Sequence, residues 1–401
     1  MSKKVQIIIK SCDRRVLELE QVKNWFLANG YSISNNHYQV DKTADIIILT
    51  TCGVTQMHED FTFEMLEKIK AGKKPEAEII LGGCVPEINP ERVAKEFGGP
   101  TFSPKSYDKL DKIFDMPYKL DSFERPNLYK MKGLYRSDVG NTLDTVKYIA
   151  GLDLRSIMRG LKLRMTNRKT YYIQIHEGCS MGCTYCAIQK AIGPLRNSKP
   201  IDTVISEFRQ GLEKGYKHFR LIGDCAGSYG LDINTNLGNL LWRISEIEEH
   251  FTLELTDINP VFLKVIYEPV KALCLEKRIS NLYIPIQSAS DRILGLMHRR
   301  YDIAETKRML IELKNAAPKD FRIGTSVIVG FPSETEDELR ATVDFCNDMG
   351  FDWIYCHGFS PRPGTPAADL PDQLTEDEVT ARVTRFREKI NDKGSVVLDF
   401  Q

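Results

Sequence analysis

Cys179, Cys183 and Cys186 fall within eight residues of the stretch HEGCSMGCTYC, a C-x3-C-x2-C loop. A structural zinc site closes its tetrahedron with two C-x2-4-C pairs or with histidines at set spacing, and this loop offers neither. A four-iron cluster held by only three thiolates leaves one iron without a protein ligand, open to a cofactor or substrate. The missing fourth cysteine is therefore the informative feature. Ten cysteines occur among the 401 residues. In a reducing compartment, clustered cysteines read as metal or redox ligands before they read as disulfides.

A second set lies near the N-terminus. VQIIIK (Val5 to Lys10), ADIIILT (Ala44 to Thr50) and AEIILGG (Ala77 to Gly83) read as buried strands. Between them, apolar residues recur at helical spacing: Leu19, Val22, Trp25 and Phe26 up to Gly30, then Phe61, Met65, Leu66 and Ile69 up to Gly72. Strands alternating with helices make a parallel, doubly wound α/β sheet. Cys12, Cys52 and Cys84 each follow one of these strands, at the carboxyl edge where open α/β sheets bind ligands. One cysteine at a strand end is ordinarily a small buried hydrophobe. Three on independent strands favour a shared cluster.

From Thr170 a second series begins, with six candidate strands: YYIQIH, KHFRLIG, FTLELTD, NLYIPIQ, FRIGTSVIVG and DWIYCHGF. Helical segments separate them, which predicts a partial (β/α)6 TIM-type barrel with its chemistry in the loops after the strands. The cysteine loop, GDCAGSYG, DINP, QSASDR, GFPSET and SPRPGTP all sit there. The expected organisation is an N-terminal domain over 1–120, a linker over 121–169, the barrel over 170–370 and a closing helix and tail over 371–401. The linker ends in DLRSIMRGLKLRMTNRK, with Leu154, Ile157, Met158, Leu161 and Met165 on one helix face and Arg155, Arg159, Lys162, Arg164, Arg168 and Lys169 around it. A solvated linker helix is favoured there over a basic wall for an anionic substrate. The last helix opens with a capping box, Thr375 to Glu378.

CSMGCTYC resembles the signature of the radical S-adenosylmethionine (SAM) enzymes. More narrowly, the chain is similar to the methylthiotransferases, which place a methylthio group on tRNA adenosines or on a ribosomal-protein aspartate. GSYG (Gly227 to Gly230), IPIQSASDRILGLMHRRY (Ile284 to Tyr301), VIVGFPSETEDE (Val327 to Glu338), SPRPGTPAA (Ser360 to Ala368), TCGVT and GGC carry that resemblance. It implies a flavodoxin-like N-terminal domain joined to a partial radical SAM barrel. It further implies that Cys179, Cys183 and Cys186 hold the [4Fe-4S] cluster that chelates SAM, with Tyr185 near the adenine. Gly223, Asp224, Gln287, Ser288 and Val329 are expected cofactor contacts by their place after the strands, the alternatives being a structural polar cap for Gln287 and Ser288 and a turn cap for Asp224. Cys12, Cys52 and Cys84 would hold an auxiliary [4Fe-4S] cluster carrying the sulfur to be transferred. A protein reductant such as flavodoxin is implied as well.

Departures from the family pattern lie on the substrate side. Gly223, Asp224 and Cys225 stand where Gly-Gln-Asn or Gln-Asp is usual, Ser326 replaces a common Asp, and IGPLRNSKP keeps Arg196 and Ser198 but has lost arginines. The family's C-terminal β-barrel is not found in the sequence. These features favour a peptide or small-molecule substrate, with tRNA as the alternative. A carrier or sensor that kept the fold but lost turnover is the rival from another class, and the open-iron loop disfavours it. His176 reads as a satisfied structural histidine, and Cys274, Cys346 and Cys356 as inert thiols. Cys225 stands apart, in a cofactor-side loop. Zero formal net charge argues against a partner held by whole-molecule electrostatics. The N-terminal apolar run, broken by Gln6 and ended by Lys10, is too short for a signal peptide, and no membrane span is expected, which places the protein in the cytoplasm.

Overall fold

A computed structural model describes residues 2–37, 39–128, 170–390 and 396–398. The basic segment 153–169 lies outside them. The described residues form two compact units. The first takes in the N-terminal region together with Cys186–Gly193 and Pro361–Gly364, and the second holds the rest of the described chain.

In the first unit, β1 (Lys4–Ile9), β2 (Ser32–Ile33), β3 (Ile46–Thr51) and β4 (Glu78–Gly83) form a wholly parallel sheet in the order β2-β1-β3-β4. Short β2 has no sequence signal beyond its neighbours. A bridge from Leu81 to Thr101 adds the beginning of a fifth position beside β4, so the order follows the flavodoxin-like pattern. β1 and β3 are buried along almost their whole length because helices cover both faces. Val5, Ile7, Trp25 and Phe26 fill one layer, and Ile8, Ile47, Leu49, Phe63 and Leu66 fill the other. Helix Val16–Ala28 ends at Asn29, and Gly30 follows at φ 84°, the left-handed turn that a glycine permits.

The end of β4 is built by its two glycines. A Cβ on Gly82 would lie 2.2 Å from the Phe102 ring, and one on Gly83, at φ +98°, would lie 2.4 Å from the Thr51 carbonyl. Thr51 also accepts from the Cys84 amide at 3.2 Å through that carbonyl and from the Val85 amide at 3.2 Å through its hydroxyl. Gly83→Ala is therefore expected to cost about 2 kcal/mol or more, from positive φ and from a close backbone contact together. Chemical denaturation of the variant checks it.

In the second unit, β5 (Thr170–Gln174), β6 (His218–Ile222), β7 (Thr252–Leu255), β8 (Ile279–Tyr283), β9 (Arg322–Val329), β10 (Trp353–Gly358) and β11 (Val396–Leu398) make a parallel sheet in sequential order. The six expected strands are present, and the tail supplies a seventh that pairs with β10. Helices Ile201–Glu213, Leu237–Ser245 and Leu263–Leu275 bury apolar stripes, as in Val204, Ile205, Phe208 and Leu212. The capping box of the last helix is formed as expected, with the Thr375 hydroxyl accepting from the Glu378 amide and the Glu378 carboxylate from the Thr375 amide. That helix is tied down by Arg382, which donates to the Glu334 carbonyl at 2.6 Å and to its carboxylate at 3.0 Å. No described helix is long and apolar enough to cross a membrane.

Candidate active site

Strand ends bring the first cysteine set together. β1 pairs with β3 up to Ile9 and Thr50, and β3 with β4 up to Thr51 and Gly83, so Cys12, Cys52 and Cys84 leave neighbouring strands at one edge. The sheet order reverses between β1 and β3, the position at which such sheets open a binding crevice. Loss of hydration pushes the Cys52 thiol up to about 12, and the neighbouring Cys12 adds to it. The Val54 amide, Arg14 and Arg362 pull the other way. Metal binding would have to deprotonate this thiol, and those three groups are what the fold provides to stabilise the thiolate.

Arg362, from the SPRPGTP block, belongs to the first unit and is only 1% exposed. Its guanidinium donates to the Glu59 carboxylate and, at 2.9 Å, to Gln56 Oε1. Glu59, fully buried, also accepts from Arg92 at 3.0 Å and from Asn89 at 2.8 Å. The sequence gives Glu59 no distinction from the other acidic residues of helix Gln56–Gly72. Nor does the block itself indicate that its arginine is enclosed. Cys84 packs with Ile88, Ala187 and Ala191 in one buried cluster. Ala187 follows Cys186, so the last cysteine of the loop and the last cysteine of the strand-end set are anchored in the same unit.

The division between the units falls inside the cysteine loop, between Tyr185 and Cys186. In the second unit the loop is clasped by the segment after β6 at three successive residues. The Gly178 amide donates to Asp224 Oδ2 at 2.9 Å, Cys179 hydrogen-bonds the Cys225 thiol, and the Ser180 and Ser228 hydroxyls meet at 2.8 Å. Asp224 thus positions the entry of the loop. Cys183 accepts from Arg299 Nη1 at 3.8 Å, and the same nitrogen donates to the Tyr185 hydroxyl at 3.2 Å. Arg299 is 4% exposed and was not singled out within the MHRRY block. The Tyr185 ring packs beside Ile293, Met297, Phe331 and Phe359.

The other expected cofactor contacts lie at the carboxyl ends of the barrel strands. Gly223 has no room for a side chain, since a Cβ would lie 2.1 Å from the His176 ring. Gln287 is 8% exposed, holds φ 69° and leaves Oε1 without a hydrogen-bond partner among the described residues. A strained backbone that buries an unsatisfied acceptor is costly, and such residues gather at ligand sites. Ser288 is fully buried, with its hydroxyl taken by the Ser290 amide at 3.1 Å and facing Thr342, so it holds the loop. Val329 ends β9, its carbonyl accepting from the Phe359 amide at 2.8 Å.

His176 corrects the expectation of a satisfied histidine. It is 1% exposed, and neither ring nitrogen has a partner among the described residues. Burial pushes it from 6.5 down to about 4, against the attraction of Asp224, Asp232 and Glu177. Its folded pKa lies below its unfolded value, so the unfolded chain binds the proton first and stability is lost as pH falls from about 6.5 to about 4. The full span corresponds to about 3 kcal/mol. His176→Gln should remove most of that acid-dependent loss, which denaturation series at pH 7 and pH 4.5 would read.

The remaining thiols differ in their surroundings. Burial pushes Cys274 and Cys356 up to about 12 and Cys346 higher still. Cys225 is drawn down to about 7 by the hydrogen bond from Cys179, with Ser228 and the Asn259 amide assisting against burial.

Residues 173–346 match the Radical SAM superfamily, and residues 4–102 match Uncharacterized protein family UPF0004. The threonylcarbamoyladenosine tRNA methylthiotransferase MtaB of Thermotoga maritima is 31% identical over 353 residues, covering 88% of this chain and 75% of its own. The chain belongs to the radical SAM methylthiotransferase family. The tRNA-2-methylthio-N(6)-dimethylallyladenosine synthase of Vibrio cholerae is 30% identical and covered to 79%. The chain spans 61% of the length of the threonylcarbamoyladenosine tRNA methylthiotransferase of Homo sapiens, at 31% identity. Among solved structures, the radical SAM methyltransferase TsrM of Kitasatospora setae shares the fold, with a TM-score of 0.59 at 13% identity over 92% of this chain and 77% of its own.

Membership of this family implies a [4Fe-4S] cluster and SAM. Among the described residues no group of three or more His, Cys, Asp or Glu side chains is arranged to hold a single metal ion. A cubane makes a different demand, because each thiolate binds a separate iron. The residues present fit that demand and the cofactor: three cysteines lie in one loop and three follow neighbouring strands, the backbone at Gly223 is pressed close to His176, and Gln287 Oε1 has no hydrogen-bond partner among the described residues.

Proposed function

We propose that this methylthiotransferase-family chain replaces a C–H bond by C–S–CH3 on an adenosine of tRNA. The observation that carries the reading is the 31% identity to a tRNA methylthiotransferase over most of both chains, and the cysteine geometry supports it. Cys179, Cys183 and Cys186 would hold the SAM-binding cluster. Cys12, Cys52 and Cys84 would hold a second one, at which sulfur is presented. Bound cluster and SAM supply the one-electron chemistry that takes a hydrogen atom from an unactivated carbon.

The residues of the chain orient and shield that chemistry. Asp224 fixes the start of the cysteine loop through the Gly178 amide, and Arg299 places a buried cation against Cys183. Gln287 offers its free carbonyl to the cofactor, and Gly223 leaves the backbone bare for close approach. Arg362 and Arg14 offset the charge of the Cys52 thiolate. The thinned arginines after the loop do not redirect the reading to a peptide: the retained Arg196 is engaged by Glu177 at 3.2 Å, as part of the loop's own structure. We place the enzyme in the reducing cytosol, where clustered cysteines serve as metal ligands, with a flavodoxin-type reductant.

Anaerobic incubation of the reconstituted protein with SAM, dithionite and tRNA that carries N(6)-modified adenosines but no methylthio group tests the proposal. The expected products are 5′-deoxyadenosine and a methylthioadenosine nucleoside after digestion. Deoxyadenosine without any modified nucleoside, across tRNAs that carry N(6)-modified adenosines, would overturn the substrate assignment.

A further inference from the structure

Side chains alternate along the strands of the second unit, and the two faces of its sheet differ in character. On one face Phe219, Leu221, Leu253, Leu282, Ile323 and Ile354 are fully buried, with Phe208 of helix Ile201–Glu213 stacked on Phe219 at 3.8 Å between ring centroids. The other face carries Arg220, Glu254, Tyr283, Trp353, Tyr355 and His357, all only partly buried. Register gathers its aromatic side chains. Tyr283 pairs with Gly324 and Gly324 with Trp353, so one row runs Tyr–Gly–Trp across β8, β9 and β10. Only glycine fits the middle of that row, since a Cβ on Gly324 would lie 1.9 Å from the Trp353 ring. The Tyr283 and Trp353 rings lie 6.2 Å apart at 16°, and Tyr355 meets Tyr283 edge-on at 5.8 Å.

We propose that this aromatic wall is the binding site for the purine ring of the target adenosine, which stacks on Trp353 and Tyr283. The arginines of the face are engaged by carboxylates, Arg220 by Glu254 at 2.5 Å and Arg322 by Asp352 at 2.8 Å, so it suits a flat, uncharged ring system better than a phosphate. The wall also leads to the cysteine loop. His357 pairs with Ile328, and Ile328 belongs to the cluster against which the Tyr185 ring packs, between Cys183 and Cys186. An enzyme that modifies a base must take it out of its stack, and aromatic side chains replace the stacking that is lost. Such stacking tolerates different substituents at N6, because it reads the ring face and not the ring edge.

The assignment rests on tRNA being the substrate, and two RNA hairpins keep the two questions apart. They are identical except at one loop position, which holds an N(6)-modified adenosine in one and an abasic site in the other. Binding of each to the reconstituted holoprotein is measured anaerobically with SAM present. Failure of the unaltered protein to bind either hairpin would remove the tRNA reading itself. With binding present, the hairpin that has the base should bind about tenfold more tightly or better. Trp353→Ala should abolish most of that preference and leave the affinity for the abasic hairpin as it was. Trp353→Phe, which keeps a ring, should restore the preference, and Tyr283→Leu should weaken it independently. Equal binding of both hairpins by the unaltered protein would overturn the proposal. So would a full preference for the base in both Trp353→Ala and Tyr283→Leu, or an equal loss of affinity for both hairpins in these variants, which would mark the rings as structural.

Discussion

Alanine at Cys12, Cys52 and Cys84 together is expected to lower the iron content of the reconstituted protein from about eight to about four atoms per chain, two cubanes becoming one. SAM cleavage should survive, because the C-x3-C-x2-C loop is untouched, whereas methylthio transfer should fall below detection. The prediction follows from the three strand ends at one sheet edge and from the influence of Cys12 on Cys52. Iron analysis and nucleoside analysis on the same preparation read the two halves separately. Four irons in the unaltered protein, unchanged in the triple variant, would mean that the strand-end cysteines are the small buried hydrophobes that each alone resembles.

Replacing Glu59 with alanine is expected to destabilise the first unit by about 3–5 kcal/mol, the range for breaking a buried ion pair and leaving one charge uncompensated. Glu59 is fully buried and is shared by Arg362, Arg92 and Asn89. Arg92 retains Asp60 and Glu96 when Glu59 is lost, whereas Arg362 loses the buried carboxylate that its guanidinium meets. The double change Glu59→Leu with Arg362→Met should recover much of the loss, since an apolar pair leaves no buried charge. Thermal denaturation of the single and double variants decides it. A single variant within about 0.5 kcal/mol of the parent, as is usual for surface positions, would show that the pair carries no stability.

Much of this architecture was legible because its signals are local and repeated. Apolar runs ending in cysteine marked the first sheet, and the alternation of strand and helix from Thr170 marked the second. The C-x3-C-x2-C spacing marked the chemistry. What escaped depends on contacts distant in sequence. β2 is two residues long and exists because β1 offers it an open edge. β11 is placed by its pairing with β10. Arg362 meets Glu59 across 303 positions, and Arg299 meets Cys183 across 116. Neither distance leaves a trace in periodicity or composition. His176 shows the reverse difficulty: a histidine before a cysteine loop looks satisfied until the packing against Gly223 shows both nitrogens without partners. Cys225 was conspicuous as a departure from the family pattern, but its direct contact with Cys179 required the fold.

The most direct test of the central claim uses a host whose own tRNA methylthiotransferase genes have been deleted. This chain is expressed there, and total tRNA nucleosides are analysed by mass spectrometry. A 2-methylthio derivative of an N(6)-modified adenosine is expected to appear, and to vanish when Cys179 is replaced by alanine. A nucleoside profile identical to that of the empty host, from cells whose expressed protein carries its iron and cleaves SAM, would contradict a tRNA substrate.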